Sequence, residues 1–207
     1  MKPVALAAGI AILAMVWLGP LLGAWREAFT AGMVAHMAVV AVASPLIAIG
    51  LPWRFGTRMP AALPVLASLF ELFAVWGWHA PAMREIAEAS VAGTVAEQAT
   101  FLSAGVFLWS TSFAAPESRL HAATGAGALL LTSIHMTLLG ALLALSPRPL
   151  YGSGEVTCFG LVLDAGQDQQ LGGVIMLLVG AIVYLAGGVS LVSRLVQAPD
   201  NSPRPSV

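Results

Sequence analysis

Residues 171–192 read Leu-Gly-Gly-Val-Ile-Met-Leu-Leu-Val-Gly-Ala-Ile-Val-Tyr-Leu-Ala-Gly-Gly-Val-Ser-Leu-Val, with no charged side chain among them. About 20 apolar residues of helix cross the hydrocarbon core of a bilayer. Inside that core each backbone N–H and C=O has to be satisfied within the segment, which makes a helix the form such a run adopts. Five more runs of this kind lie upstream: Val4–Leu22, Met33–Leu51, Ala61–Gly77, Ala96–Phe113 and Thr124–Leu145. The expected architecture is an all-α, polytopic transmembrane helix bundle of about six helices. Residues 1–197 form a single transmembrane helical domain, and residues 198–207 form a flexible polar, proline-rich C-terminal tail.

Composition agrees. The chain is 58% hydrophobic and 9% charged, with a mean hydropathy of +0.87. A soluble domain carries about 25% charged residues, so this surface has to face lipid. The net charge of −1 and the absence of a basic patch give no nucleic-acid footprint. The single Cys158 rules out an intramolecular disulfide and any CxxC motif. No Ser/His/Asp order, phosphate-binding loop or HExxH motif marks an enzyme. Lys2 precedes the first run as in a signal peptide, but that run is long for a signal h-region and its cleavage cue at Leu22-Gly23-Ala24 is weak, so it reads as a retained helix.

Six spans put both termini on one side, together with Lys2, Arg54, Arg58, Arg119, Arg194 and Arg204. The other side holds Arg26, Arg84 and Arg148, and most of the acidic residues. Lys/Arg enrichment marks the cytoplasmic face. Both termini are therefore expected in the cytoplasm, and the longest loop, Ser146–Gln170, outside.

On that topology His36, His79 and His135 all lie toward the outer side, His135 roughly 15 Å deep at 1.5 Å per residue. Gln98 and the Asp168-Gln169-Gln170 turn sit at the same end. An ionisable group in a span is by default a functional-site candidate. Met33, His36 and Met37 share one helix face at i, i+3 and i+4. Met136 follows His135, and Met176 lies further along the last run. Imidazole with thioether suits Cu(I); zinc accepts histidines too, usually with Cys or carboxylate. The competing reading of each histidine is a hydrogen bond between helices, and of each methionine, core filling. His121 reads as a solvated residue at a helix start. Glu97 reads as a cap near the helix N-terminus, and Trp53, Trp76, Trp78 and Trp109 as interface anchors. Glu71, in mid-span, is a relay or an inter-helix hydrogen bond. Cys158 is taken as incidental.

Several stretches occur together in order: His36-Met37, Ala43-Ser44-Pro45-Leu46 and Gly50-Leu51-Pro52; Trp78-His79-Ala80-Pro81; Phe101 through Trp109; His135 through Leu143 with Pro149-Leu150-Tyr151; and Asp168-Gln169-Gln170-Leu171-Gly172-Gly173 with Ile175-Met176. From about residue 25 to residue 194 the chain resembles the CtaG-type cytochrome c oxidase assembly factors of bacteria. The resemblance implies a multi-pass protein of the bacterial inner membrane that assists haem-copper oxidases through copper delivery. Its partners would be the lipid bilayer, an oxidase subunit and a periplasmic copper donor. By the same resemblance His36, His79, His135 and the Asp168 turn are the functional positions. With the methionines, the expected metal set is His36, His79, His135, Met33, Met37, Met136 and Asp168. The family pattern also carries a histidine four residues before His36 and a pair spaced by four at the start of the fourth helix; here those positions are Gly32, Thr94 and Gln98. A copper site is then reduced, remodelled around Met33 and Met37, or lost. Two alternatives stand beside the assembly factor: a haem-binding membrane cytochrome using His36 and His135, and a small ion transporter built around Glu71.

Overall fold

A computed structural model of the chain describes residues 2–51, 59–114 and 118–197. The helices are α1 (Lys2–Leu18), α2 (Phe29–Gly50), α3 (Leu63–Trp78), α4 (Pro81–Ala89), α5 (Val91–Ser112), α6 (Arg119–Ala144) and α7 (Ala165–Gln197). A hairpin of β1 (Glu155–Cys158) and β2 (Leu161–Asp164) precedes α7. The tail at 198–207, and Trp53 with Arg54 and Arg58, fall outside the described residues.

The bundle is all-α across the membrane, but the expected count of six spans is too high. Four helices (α2, α5, α6 and α7) are long and apolar enough to cross, and a fifth span exists if α3 and α4, bent by 75°, are taken as one. Two prolines account for the difference. Pro20 follows Gly19 and stops α1 after 17 residues, because proline lacks the N–H a helix needs and pushes the preceding residue out of the α region. Pro81 does the same at the end of α3, and the chain turns through His79 and Ala80 before α4 starts.

A third proline explains an irregularity inside α2. Residues Ala38–Ala43 form a π-helical segment just before Ser44-Pro45. Pro45 cannot donate to the carbonyl one turn back, and widening the helix relieves the clash. The Val40 carbonyl this frees is taken up by side chains. Val40 O accepts from Trp109 Nε1 at 3.1 Å and from Tyr184 OH at 3.4 Å, while Val39 O accepts from Ser44 Oγ at 2.8 Å. Trp109 is therefore a buried bracket between helices and not the expected interface anchor.

The longest interface joins α6 to α7. It is close because both backbones carry glycine where they meet. A Cβ added at Gly173 would lie 2.6 Å from Ala144 N and 2.8 Å from Gly140 O. Small residues that admit close backbone approach are how helices associate without a hydrophobic drive between them. α1 packs against the second half of α2, with Gly50 against Leu6 and Gly9 against Ile47.

The loop expected at Ser146–Gln170 contains the hairpin. Phe159 (φ 52°) and Gly160 (φ 78°) are the two left-handed residues of its turn, the geometry a two-residue hairpin loop requires. Phe159 packs on Trp25 of the α1–α2 connection, ring centroids 4.7 Å apart. Cys158 is buried with Ala28 and Ala31. The hairpin thereby closes one end of the bundle over the start of α2.

Candidate functional site

The three membrane histidines come from three helices, and two of them, His36 and His79, meet near that closed end. His36 lies two turns into α2, and His79 caps the C-terminus of α3. Their rings meet edge to face with centroids 5.3 Å apart. Phe101 of α5 completes the cluster, 4.1 Å from His36 and 6.3 Å from His79. His135 of α6 lies within electrostatic reach of His36.

Their hydrogen bonding sets what they can do. His79 Nδ1 lies 2.7 Å from Val75 O. A carbonyl only accepts, so Nδ1 carries the proton and Nε2 keeps its lone pair free. Both ring nitrogens of His36, and both of His135, are buried and lack a hydrogen-bond partner among the described residues. Buried polar atoms are nearly always paired, and an orphan costs about 1–3 kcal/mol. His36 and His135 thus keep every ring nitrogen unengaged within the described residues.

The methionines divide. Met33 packs toward Gly172 of α7, and Met136 toward Gly180. Met33, Met37, Met136 and Met176 are all buried in the main apolar core. Among the described residues no three His, Cys, Asp or Glu side chains form a group that could hold a metal ion.

Asp168 does other work. Its Oδ2 accepts from Phe29 N–H at 2.6 Å and its Oδ1 from Thr30 N–H at 3.0 Å, while Thr30 Oγ1 donates to Asp168 O at 2.9 Å. Ala28, at the N-cap of α2, has no oxygen to offer. The carboxylate from α7 supplies the cap instead, where the helix dipole favours a negative charge. Gln169 ties the same corner together: Oε1 accepts from Leu150 N–H at 2.6 Å and Nε2 donates to Leu143 O at 3.1 Å. Gln170 is exposed.

Residues not singled out as ligands in the sequence frame the site. Tyr151 stacks on Phe29 at 4.5 Å and donates its hydroxyl to His79 O at 2.5 Å. Burial pushes its phenol up to about 12, so it remains a donor. Arg84 of α4 is buried, with its guanidinium 5.5 Å from the Phe29 ring centre. It pairs with Glu88 at 2.5 Å and faces Glu97 at 3.8 Å. The signal for Arg84 was its position, five residues after His79 on an amphipathic helix.

The three positions where the family pattern has histidine are occupied in a specific way. A Cβ at Gly32 would sit 2.9 Å from both terminal nitrogens of Arg84. Thr94 Oγ1 accepts from Arg26 at 3.0 Å, and Gln98 Oε1 accepts from Trp17 Nε1 at 3.3 Å. Gly32 and Thr94 line one small cavity together with both arginines. Two of the three positions, Gly32 and Thr94, therefore adjoin a guanidinium, and the third, Gln98, adjoins Trp17.

Two further expectations are corrected, for Glu97 and His121. Glu97 does not cap α5, because the helix begins earlier, at Val91, where Ser90 Oγ accepts from Gly93 N–H. His121 is buried, not solvated, and its ring Nε2 donates to Thr111 O at 2.8 Å. Trp76 buries its Nε1 without a hydrogen-bond partner among the described residues. Glu71 is fully buried and accepts from Tyr184 OH at 2.7 Å; its second oxygen has no partner among the described residues.

Residues 1–198 match the family described as cytochrome c oxidase caa3 assembly factor (Caa3_CtaG). The chain belongs to this family. The match widens the stretch of resemblance from 25–194 to nearly the whole chain. No curated protein and no solved structure matches the chain. As a Caa3_CtaG member it is an assembly factor for cytochrome c oxidase. Its partner is thus the oxidase, and its apolar helices make it a multi-pass membrane protein.

Proposed function

We propose that the protein serves oxidase assembly without catalysis, by taking Cu(I) as cargo between His36 and His79, with His135 drawn in when the ion binds because the three are not a ready-made metal group among the described residues, and passing it to an oxidase subunit. The observation that carries this reading is the pair of buried imidazoles, His36 and His135, with no hydrogen-bond partner at any ring nitrogen among the described residues. His79 adds a third imidazole whose tautomer leaves Nε2 available. Neutral imidazole and thioether donors suit Cu(I). Met37, next to His36 on α2, is the thioether we assign to it. Met33 and Met136 pack on glycines of α7, and the carboxylate of Asp168 is engaged as a cap, so none of these three belongs to the set. Three missing family histidines leave a lean site, which suits transfer better than storage.

The direction comes from charge along the sequence. Arg26, Arg84 and Arg148 lie at the histidine end, and Lys2, Arg119 and Arg194 at the other, an even division among the described residues. The sequence expectation that adds Arg54, Arg58 and Arg204 to the second group makes that side the cytoplasmic one by the Lys/Arg rule. The site then opens to the periplasmic side of a bacterial inner membrane, toward a periplasmic copper donor. A cavity of about 250 Å³ above it is lined by Glu27, Glu88, Glu155 and Tyr151, and carboxylates there raise the local concentration of a cation.

A strain lacking the gene tests this when complemented with wild type, His36→Ala or His135→Ala. Both variants should accumulate in the membrane while the oxidase loses copper and activity. Full oxidase copper in both would refute copper transfer.

A further inference from the structure

Arg26 stands apart from the histidine site and is not explained by it. It lies on the connection between α1 and α2 and donates through Nη2 to two neutral acceptors, Ala87 O at 3.1 Å and Thr94 Oγ1 at 3.0 Å. Its Nε is buried and has no hydrogen-bond partner among the described residues. The nearby carboxylates, Glu88 and Glu97, are engaged by Arg84, and among the described residues Arg26 makes no ion pair. A partly buried cation with only neutral acceptors is electrostatically incomplete.

Arg26 also lines the head of a groove of about 460 Å³, within the roughly 300–1,000 Å³ range of small-molecule sites. Val91, Thr94, Val95 and Gln98 repeat at helical spacing along one face of α5, with Ala99 beside them, and Trp17 and Leu22 form the opposite wall. Val91 is 73% exposed and Val95 61%. α1 packs on α2 and leaves this face of α5 open. The groove starts at the end of α1 and the first turn of α5, the level where Trp17 marks the membrane interface, and runs along α5 toward the bilayer centre.

We propose that this groove binds one anionic phospholipid, its phosphate on the Arg26 guanidinium and one acyl chain against Val91, Val95 and Ala99. Nη2 spends both protons on Ala87 O and Thr94 Oγ1 and Nε is buried, so Nη1 is the nitrogen left to meet the phosphate, and the charge favours an anionic headgroup by about 1 kcal/mol. A free phosphate would satisfy the arginine and leave the apolar groove unfilled, which is why the lipid is the occupant assigned.

Native mass spectrometry of the detergent-solubilised full chain tests this, with equimolar phosphatidylglycerol and phosphatidylcholine as probes. Wild type should retain about one phosphatidylglycerol and prefer it about fivefold, the ratio that 1 kcal/mol gives. Arg26→Gln should abolish the preference and Arg26→Lys keep most of it. Ala99→Trp, which fills the groove and leaves Arg26 in place, should reduce retention of both lipids. It stands as the independent test should Arg26→Gln fail to fold by circular dichroism. Equal retention by wild type and Ala99→Trp, or no lipid preference in wild type, overturns the proposal. Thermal stabilisation by inorganic phosphate alone, without lipid retention, also overturns it and leaves an ion site.

Discussion

Asp168→Ala is the substitution whose cost can be worked most directly from the geometry. The carboxylate accepts two N–H groups, at 2.6 and 3.0 Å, from Phe29 and Thr30, the first two residues of α2. Removing it strands two buried donors, each costing about 1–3 kcal/mol. Relief from burying a carboxylate at 3% exposure returns part of that. We expect a net loss of about 2–4 kcal/mol, near the top of or above the range of ordinary cap deletions because the cap also joins α7 to α2. Asp168→Asn keeps one acceptor oxygen and should lose about half as much. SDS titration of the purified protein, monitored by circular dichroism and by intrinsic tryptophan fluorescence, measures both. A loss within about 0.5 kcal/mol for the alanine variant, the range of an ordinary surface change, would refute the capping role.

Other substitutions probe separate contacts. Gly173→Ala puts a Cβ 2.6 Å from Ala144 N and 2.8 Å from Gly140 O, both backbone; α6 and α7 must part, at a cost of about 1–3 kcal/mol, and the same titration should show it. Trp109→Phe removes the better donor to Val40 O, and should cost about 1–2 kcal/mol while leaving the membrane level of the protein measurable by immunoblot. Tyr151 has a folded pKa of about 12, raised first by burial, above an unfolded value near 10. Its share of stability is therefore full below pH about 10 and lost as pH rises toward about 12. Tyr151→Phe should remove that component, so the difference between wild type and variant in unfolding midpoint should shrink over that window and stay constant below it.

Much of the fold could be read from hydrophobic runs, because a lipid-facing surface forces long apolar segments whatever their packing. The runs ending in Leu51, Phe113, Leu145 and Val192 all became spans. Where the reading overcounted, the decisive residues were single prolines: Pro20 shortens α1, and Pro81 bends the chain after α3. Each is visible in the sequence, but its effect depends on the packing of the residues beyond it. The hairpin was legible only afterwards, since its strands are four residues each and Phe159 takes a left-handed conformation usually left to Gly or Asn. In the site, depth in the sequence put His36, His79 and His135 at one level, and the bundle brings His36 and His79 into ring contact. The capping role of Asp168 was not legible because a helix lacking its own cap, at Ala28, cannot be matched to a carboxylate 140 positions away (168 − 28) by periodicity. The Arg84–Glu97 contact and the burial of His121 escaped for a related reason: Glu97 and Thr111 O lie on other helices.

The central claim is that His36, His79 and His135 hold Cu(I), and the most direct measurement is Cu(I) affinity in detergent under anaerobic conditions, by competition with a chromogenic Cu(I) chelator. Wild type should bind about one Cu(I) per chain. His36→Ala and His79→Ala should each weaken binding about tenfold or more, and Asp168→Asn should leave it unchanged. No chelator-competitive copper in wild type, or wild-type affinity in both histidine variants, would contradict the account.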